Sequence, residues 1–154
     1  MRIAVLNGPN LNLLGVREPA IYGTDTLDDV ERRLRVVAGE IGATLEFAQR
    51  NGEGELIEVV HALRGRVDGA IVNAGAYSHS SLALRDALTG VALPFVEVHV
   101  TNVYAREPER RHSMLAPAAL GVICGLGTYG YELALRGLAA TLARAPRRST
   151  SARV

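Results

Sequence analysis

Residues 26–48 read TLDDVERRLRVVAGEIGATLEFA, and two periodicities meet inside them. Leu27, Val30, Leu34, Val37 and Ile41 recur at helical spacing, with Thr26 as N-cap and Asp29 in the capping-box position. Ala43–Ala48 then reads as a strand. Upstream, Arg2–Asn7 (RIAVLN) is a short apolar run ending in turn residues, which suits a buried strand. Downstream the alternation continues. Glu55–Arg64 is a helix with Leu56, Val60 and Leu63 on one face, Asp68–Asn73 (DGAIVN) a third strand, and Ser81–Leu88 a short helix capped by Ser80. Pro94–Val100 (PFVEVHV) is a fourth strand, Gly121–Cys124 lies in a fifth, and Tyr131, Ala134, Leu135, Leu138 and Leu142 line a last helix.

Five strands alternating with helices predict an α/β three-layer sandwich with a parallel sheet covered on both faces, because parallel crossovers need the intervening helix. The expected strand order is the flavodoxin-like 2-1-3-4-5; a six-stranded Rossmann order needs more chain. One domain is expected over residues 1–145, with a disordered tail over 146–154, where APRRSTSARV (145–154) has no apolar pattern.

Composition narrows the chemistry. The chain has 154 residues, 48% hydrophobic and 21% charged, enough to hold a core without disulfides or structural metal. Its 17 basic and 16 acidic residues set up no large field for nucleic acid, and seven aromatics offer little base stacking, so no nucleic-acid partner is expected. No run approaches a membrane span, and MRIAVLNGPN is too short and wrongly flanked for a signal peptide, so the expected location is cytoplasmic. All 17 basic residues are arginine. Lysine Schiff-base chemistry, lysine-anchored pyridoxal phosphate and the P-loop lysine are therefore excluded.

Ligands of open α/β sheets bind beyond the carboxyl ends of the strands. Those ends are polar here: Asn7 leads into GPN and Asn10, Asn73 leads to His79, and strand four ends in Glu97, His99 and Thr101. Glu97 and His99 leave the same face of a strand, close enough for a carboxylate to orient an imidazole; a buried structural ion pair has the same spacing. The long connection Gly8–Asp25 carries Asn10, Arg17 and Tyr22 and suits a lid. Arg17 near Tyr22 points to a phenolate, since one cation at about 4 Å is worth about 4 kcal/mol at an effective dielectric of 20. Arg110, Arg111 and His112 form a basic knot suited to an anionic or hydroxylated substrate.

Two features invite misreading. GLGTYG at 125–130 spells the dinucleotide fingerprint, but it comes near the end of the chain with no acidic residue about 20 positions on. His79, His99 and His112 with Glu97 evoke a metal, yet no HExxH or CxxC spacing supports one, so neither metal nor cofactor is expected.

NGPNLNLLGVREPAIYG, IVNAGAYSHSSLALRDAL, PFVEVHVTNVYAREPERRHS and GVICGLGTYGYELALRGL together resemble type II 3-dehydroquinate dehydratase, in order and spacing, over residues 2 to about 140. The resemblance implies a flavodoxin-like, cofactor-free hydro-lyase that converts 3-dehydroquinate to 3-dehydroshikimate. It implies Tyr22 as phenolate base, Arg17 and Arg106 as its cationic support, Asn10 holding a water at the enolate oxygen, and His99, oriented by Glu97, as acid. It further implies substrate contacts from Asn73, His79 and Arg110, a carboxylate cradle at the Val100 and Thr101 amides, and Asp86 reaching a neighbouring subunit's site in a homododecamer of four trimers. The GLGTYG turn belongs to the same pattern. Departures fall at Arg50 and Gly52, in a segment usually reading QSN and a polar residue, and at Pro108 and Glu109. The rival classes are a flavin- or nucleotide-binding module, whose melting temperature added nucleotide would raise, and a non-catalytic assembly protein without turnover.

Overall fold

Alternation along the strands builds the protein. The computed structural model describes residues 1–145; the tail expected beyond them lies outside the described residues. The strands β1 (Arg2–Asn7), β2 (Thr44–Gln49), β3 (Gly69–Asn73), β4 (Phe95–His99) and β5 (Gly121–Cys124) pair in parallel in the order β2-β1-β3-β4-β5, the flavodoxin-like order expected. The helices are α1 (Pro19–Tyr22), α2 (Leu27–Ile41), α3 (Glu53–Ala62), α4 (Tyr77–Ser80), α5 (Leu82–Gly90) and α6 (Tyr129–Arg144). Ile3, Val5, Ile71, Val96 and Val98 face α2 and α6, whereas Ala4, Leu6, Ala70, Val72 and Phe95 face α3 and α5. Both faces are covered, so β1, β3 and β4 read as almost continuous apolar runs.

Local chemistry sets most helix ends. Thr26 accepts from the Asp29 amide and Asp29 from the Thr26 amide, the reciprocal cap expected for α2. Strand ends and helix C-termini shift by one or two residues, and two helix starts differ from the sequence reading for reasons the capping shows. α3 starts two residues earlier, at Glu53, because the Glu55 carboxylate accepts from the Gly52 N–H at 3.2 Å. The cap of α5 is Ser81, not Ser80: Ser80 closes the separate turn α4, whereas Ser81 is extended (φ −99°, ψ 96°) and its hydroxyl accepts from the Leu84 amide at 2.9 Å. The 8–25 connection is partly ordered, with a 3₁₀ turn at Leu11–Leu13, the single turn α1 and Leu14 buried in the α2–α6 core. Among the described residues no helix is long and apolar enough to cross a membrane.

Candidate active site

The carboxyl ends of β1 and β3 meet at a crossing that tolerates only glycine. The Gly8 N–H donates to the Asn73 carbonyl at 2.8 Å, and a Cβ on residue 8 would lie 2.2 Å from the Ala74 carbonyl oxygen. The chain then turns through Asn10 in the left-handed region (φ 67°). That conformation is held from β2. The Asn10 N–H and the Gln49 side-chain amide both donate to Asn51 Oδ1 at 3.0 Å, and Gln49 also donates to the Gly8 carbonyl at 3.1 Å. Tyr77, on α4, donates to the Asn51 carbonyl at 2.8 Å. Local support therefore persists around Arg50 and Gly52, carried by Gln49 and Asn51.

A cavity of about 130 Å³ opens at this edge, lined by Asn10, Arg17, Tyr22, Asn73, His79, His99, Val100, Thr101, Arg106 and Arg110 among others. Nearly every residue singled out in the sequence thus converges on one hollow. Glu97 stands directly behind His99. Asp86 is exposed on α5 and does not line the cavity within this chain. A larger cavity of about 240 Å³, between α2 and the β1–β2 edge, has no histidine, arginine or tyrosine in its lining. The histidines, the arginines and Tyr22 collect around the smaller one.

On the lid side, the Arg106 guanidinium donates to the Tyr22 hydroxyl oxygen at 2.8 Å, and both Arg17 and Arg106 lie 5.4 Å from the Tyr22 ring centre. The bond to Tyr22 raises the Arg106 pKa against the opposing loss of solvation. Glu107 meets Arg106 at 3.4 Å and Arg110 at 2.5 Å, and the Arg110 hydrogen bond leads in holding its carboxyl down at about 2. Pro108 and Glu109 form a 3₁₀ turn with Arg110 whose exposed side carries both departures. Arg111 does not reach the cavity; it donates to the Arg106 carbonyl at 2.9 Å, bracing the arginine that touches Tyr22.

On the opposite side, Glu97 and His99 have the same strand parity as Phe95 and so leave the α3–α5 face of the sheet. Glu97 is fully buried and bonds His99 Nε2 at 2.7 Å. His79 stacks on His99 with ring centres 5.7 Å apart. His79 Nδ1 lies 2.7 Å from the His112 carbonyl, which only accepts, so Nδ1 carries the proton and Nε2 is the free acceptor. Burial leads in lowering the His79 pKa, with the His112 bond working the other way.

Two residues went unassigned in the sequence reading. Tyr131 looked like an apolar helix position, yet its buried hydroxyl donates to Asn7 at 2.6 Å and accepts from Asn73 at 2.8 Å, tying the ends of β1 and β3 to α6. An unusually polar neighbour set at two strand ends was the available signal. Ser113 follows the basic knot and carries no sequence signal; its hydroxyl lies 2.7 and 2.9 Å from the two Glu97 oxygens.

The glycine turn at 125–130 is engaged with the chain itself. Gly125 and Gly127 donate to the carbonyls of His99 and Val100 at 3.3 and 3.0 Å, and Thr128, at the start of α6, donates to the Asp25 carboxylate. Asp25 also pairs with Arg33 at 2.8 Å, so a carboxylate sits beside the start of α6. Among the described residues, no three of His, Cys, Asp or Glu are grouped so as to hold a metal ion.

A flavodoxin-like sheet whose carboxyl edge sets a tyrosine among guanidiniums opposite a carboxylate-held histidine marks an α/β protein with the kinds of side chain that acid–base chemistry uses. The chain belongs to the dehydroquinase class II family, which matches residues 1–139. It is 64% identical over 142 residues to the 3-dehydroquinate dehydratase of Gemmatimonas aurantiaca, covering 92% of this chain and 93% of that one. It is 56% identical over 137 residues to catabolic 3-dehydroquinase 1 of Aspergillus terreus, covering 89% and 90%. Among solved structures, the type II dehydroquinase of Propionibacterium acnes superposes with a TM-score of 0.86 at 43% identity, over 90% of this chain and 96% of that one.

Proposed function

We propose that this chain is a 3-dehydroquinate dehydratase that removes water from 3-dehydroquinate by anti elimination through an enolate, giving 3-dehydroshikimate in the shikimate pathway of aromatic amino acid biosynthesis in the cytoplasm. Tyr22, as phenolate, takes the proton at C2 beside the ketone, and the C–H electron pair passes into the C2–C3 enolate. Asn10 holds a water against the enolate oxygen. His99 then gives a proton to the C1 hydroxyl, which leaves as water while the enolate collapses to the C1=C2 double bond. Arg17 and Arg106 stabilise the phenolate, and Glu97 stabilises the imidazolium.

Asn73, His79 and Arg110 bind substrate hydroxyls or carboxylate in this reading, and the Val100 and Thr101 amides cradle the carboxylate. The neutral His79, with Nε2 as acceptor, suits a substrate hydroxyl donor. Base and acid come from opposite sides of the sheet edge, which favours elimination across two faces of one ring. Every step uses side chains of the chain, with no metal or organic cofactor. Asp86, exposed on α5, is assigned to a neighbouring subunit's site in a dodecamer of four trimers, and the exposed apolar Leu120, Val122, Leu126 and Tyr129 supply surface for such contacts.

The observation that carries the reading is the Arg106 N–H donated to the Tyr22 hydroxyl oxygen at 2.8 Å, which sets a guanidinium directly on the oxygen that would take the proton. Its test is absorbance in the enone band of the product after metal-stripped protein is added to 3-dehydroquinate. Growth is expected for the wild type. Tyr22→Phe is expected to lose at least about 10²–10⁴-fold in kcat, the range of general-base contributions, while still binding substrate. Full activity in that variant would remove the phenolate from the mechanism.

A further inference from the structure

The acid side of the site has a third member. Ser113 Oγ accepts from the amides of Leu115 and Ala116 at 3.1 and 3.0 Å, which occupies both of its lone pairs. Its single proton is left for Glu97, whose oxygens lie at 2.7 and 2.9 Å. Glu97 Oε1 also receives His99 Nε2 at 2.7 Å. The order is therefore directional: backbone amides aim the Ser113 hydroxyl, that hydroxyl donates to Glu97, and Glu97 remains an acceptor for the histidine. A carboxylate buried this completely, with His99 as its one donor, would be free to rotate and to present the wrong oxygen.

We propose that Ser113 is a positioning residue for the acid: by donating to Glu97 it keeps the Nε2 proton of His99 on the carboxylate and turns Nδ1 toward the cavity. This rests on the dehydratase reading for its catalytic consequence, though not for the tautomer itself. The same short segment orients both rings, since the preceding residue's carbonyl, that of His112, takes the Nδ1 proton of His79. The 112–113 dipeptide thus sets a ring with Nε2 free beside a ring with Nδ1 free.

The test combines kinetics with nitrogen-15 NMR of histidine-labelled protein, using His99→Gln only to assign the His99 signals. Ser113→Ala is expected to lower kcat about tenfold to a hundredfold, the worth of one hydrogen bond to a charged group, with KM within about twofold. Ser113→Thr, which keeps the hydroxyl, is expected to restore kcat to within about threefold of wild type. In the Glu97→Gln background, Ser113→Ala is expected to cost almost nothing more, because both changes break one chain of contacts. The His99 ring signals are expected to move away from the Nε2–H tautomer in Ser113→Ala and to stay in Ser113→Thr. Wild-type kcat and unmoved His99 signals in Ser113→Ala would overturn the proposal, and so would a full additional loss in the Glu97→Gln background. If the wild type fails to turn over 3-dehydroquinate, the dehydratase reading falls and the NMR comparison still decides the role of Ser113. If Ser113→Ala does not fold, a Ser113→Thr variant with displaced His99 signals overturns it, and one with signals in place supports it.

Discussion

Glu97 holds one ring nitrogen of His99, which leaves the other for the proton delivery proposed above. His99→Ala is expected to lower kcat by about 10²–10⁴-fold with the circular dichroism spectrum retained, as checked by steady-state kinetics beside the spectrum. His79 next to it behaves differently. Its folded pKa is lowered, so it favours the native state fully above 6.5, and that contribution fades as pH falls below this unfolded value, where the unfolded chain takes up the proton first. The pairing of Glu97 with His99 was readable from strand parity two residues apart. The stack of His79 on His99 was not, because it joins α4 to β4 across 20 residues of chain.

The 8–25 connection carries the proposed base, and its stem is fastened by charge. Gly15 (φ 88°) packs against the Thr24 and Asp25 carbonyls and the Thr26 methyl, and Asp25 binds Thr128 of the α6 start and Arg33 of α2. The Arg33 hydrogen bond leads in holding the Asp25 carboxyl below 3.8. A depressed carboxyl stabilises the fold above its unfolded pKa and loses that contribution as pH falls through the folded one. Asp25→Asn is therefore expected to melt slightly lower than wild type at pH 7, by no more than about 1 kcal/mol for so exposed a pair, with the two curves converging as pH drops below 3.8. Thermal melts across pH would check this. A looser stem is also expected to raise KM and lower kcat together, as hinge changes do.

Across the whole molecule, Tyr131 links three elements in two layers: α6, on which it sits, and the ends of β1 and β3 through Asn7 and Asn73. Burial pushes its phenol pKa up, keeping it a neutral donor. Tyr131→Phe strands two buried amides, and the expected cost is about 1–3 kcal/mol, or about 2–4 °C of melting temperature per kcal/mol at this chain length, read by calorimetry. The proposed assembly makes a separate prediction: sedimentation velocity should give a species twelve times the protomer mass, and a stable monomer with full turnover would refute the part assigned to Asp86 of a neighbouring subunit.

Strand order, the four longer helices and the polar sheet edge were legible in the sequence, because period, length of crossover and polar strand ends are local signals, whereas the single turns α1 and α4 were not read. Residues 26–48 carried the helix-to-strand switch, and GPN, Glu97 and His99 marked the edge. The tertiary structure alone decided that Ser81 caps α5, that Arg111 braces Arg106 instead of facing the cavity, that Asp25 meets Thr128 at the start of α6, that Ser113 meets Glu97, and that Tyr131 meets Asn7 and Asn73. These depend on which distant segments touch, and a hydroxyl that ends on a buried carboxylate has the same sequence signature as one that ends in water.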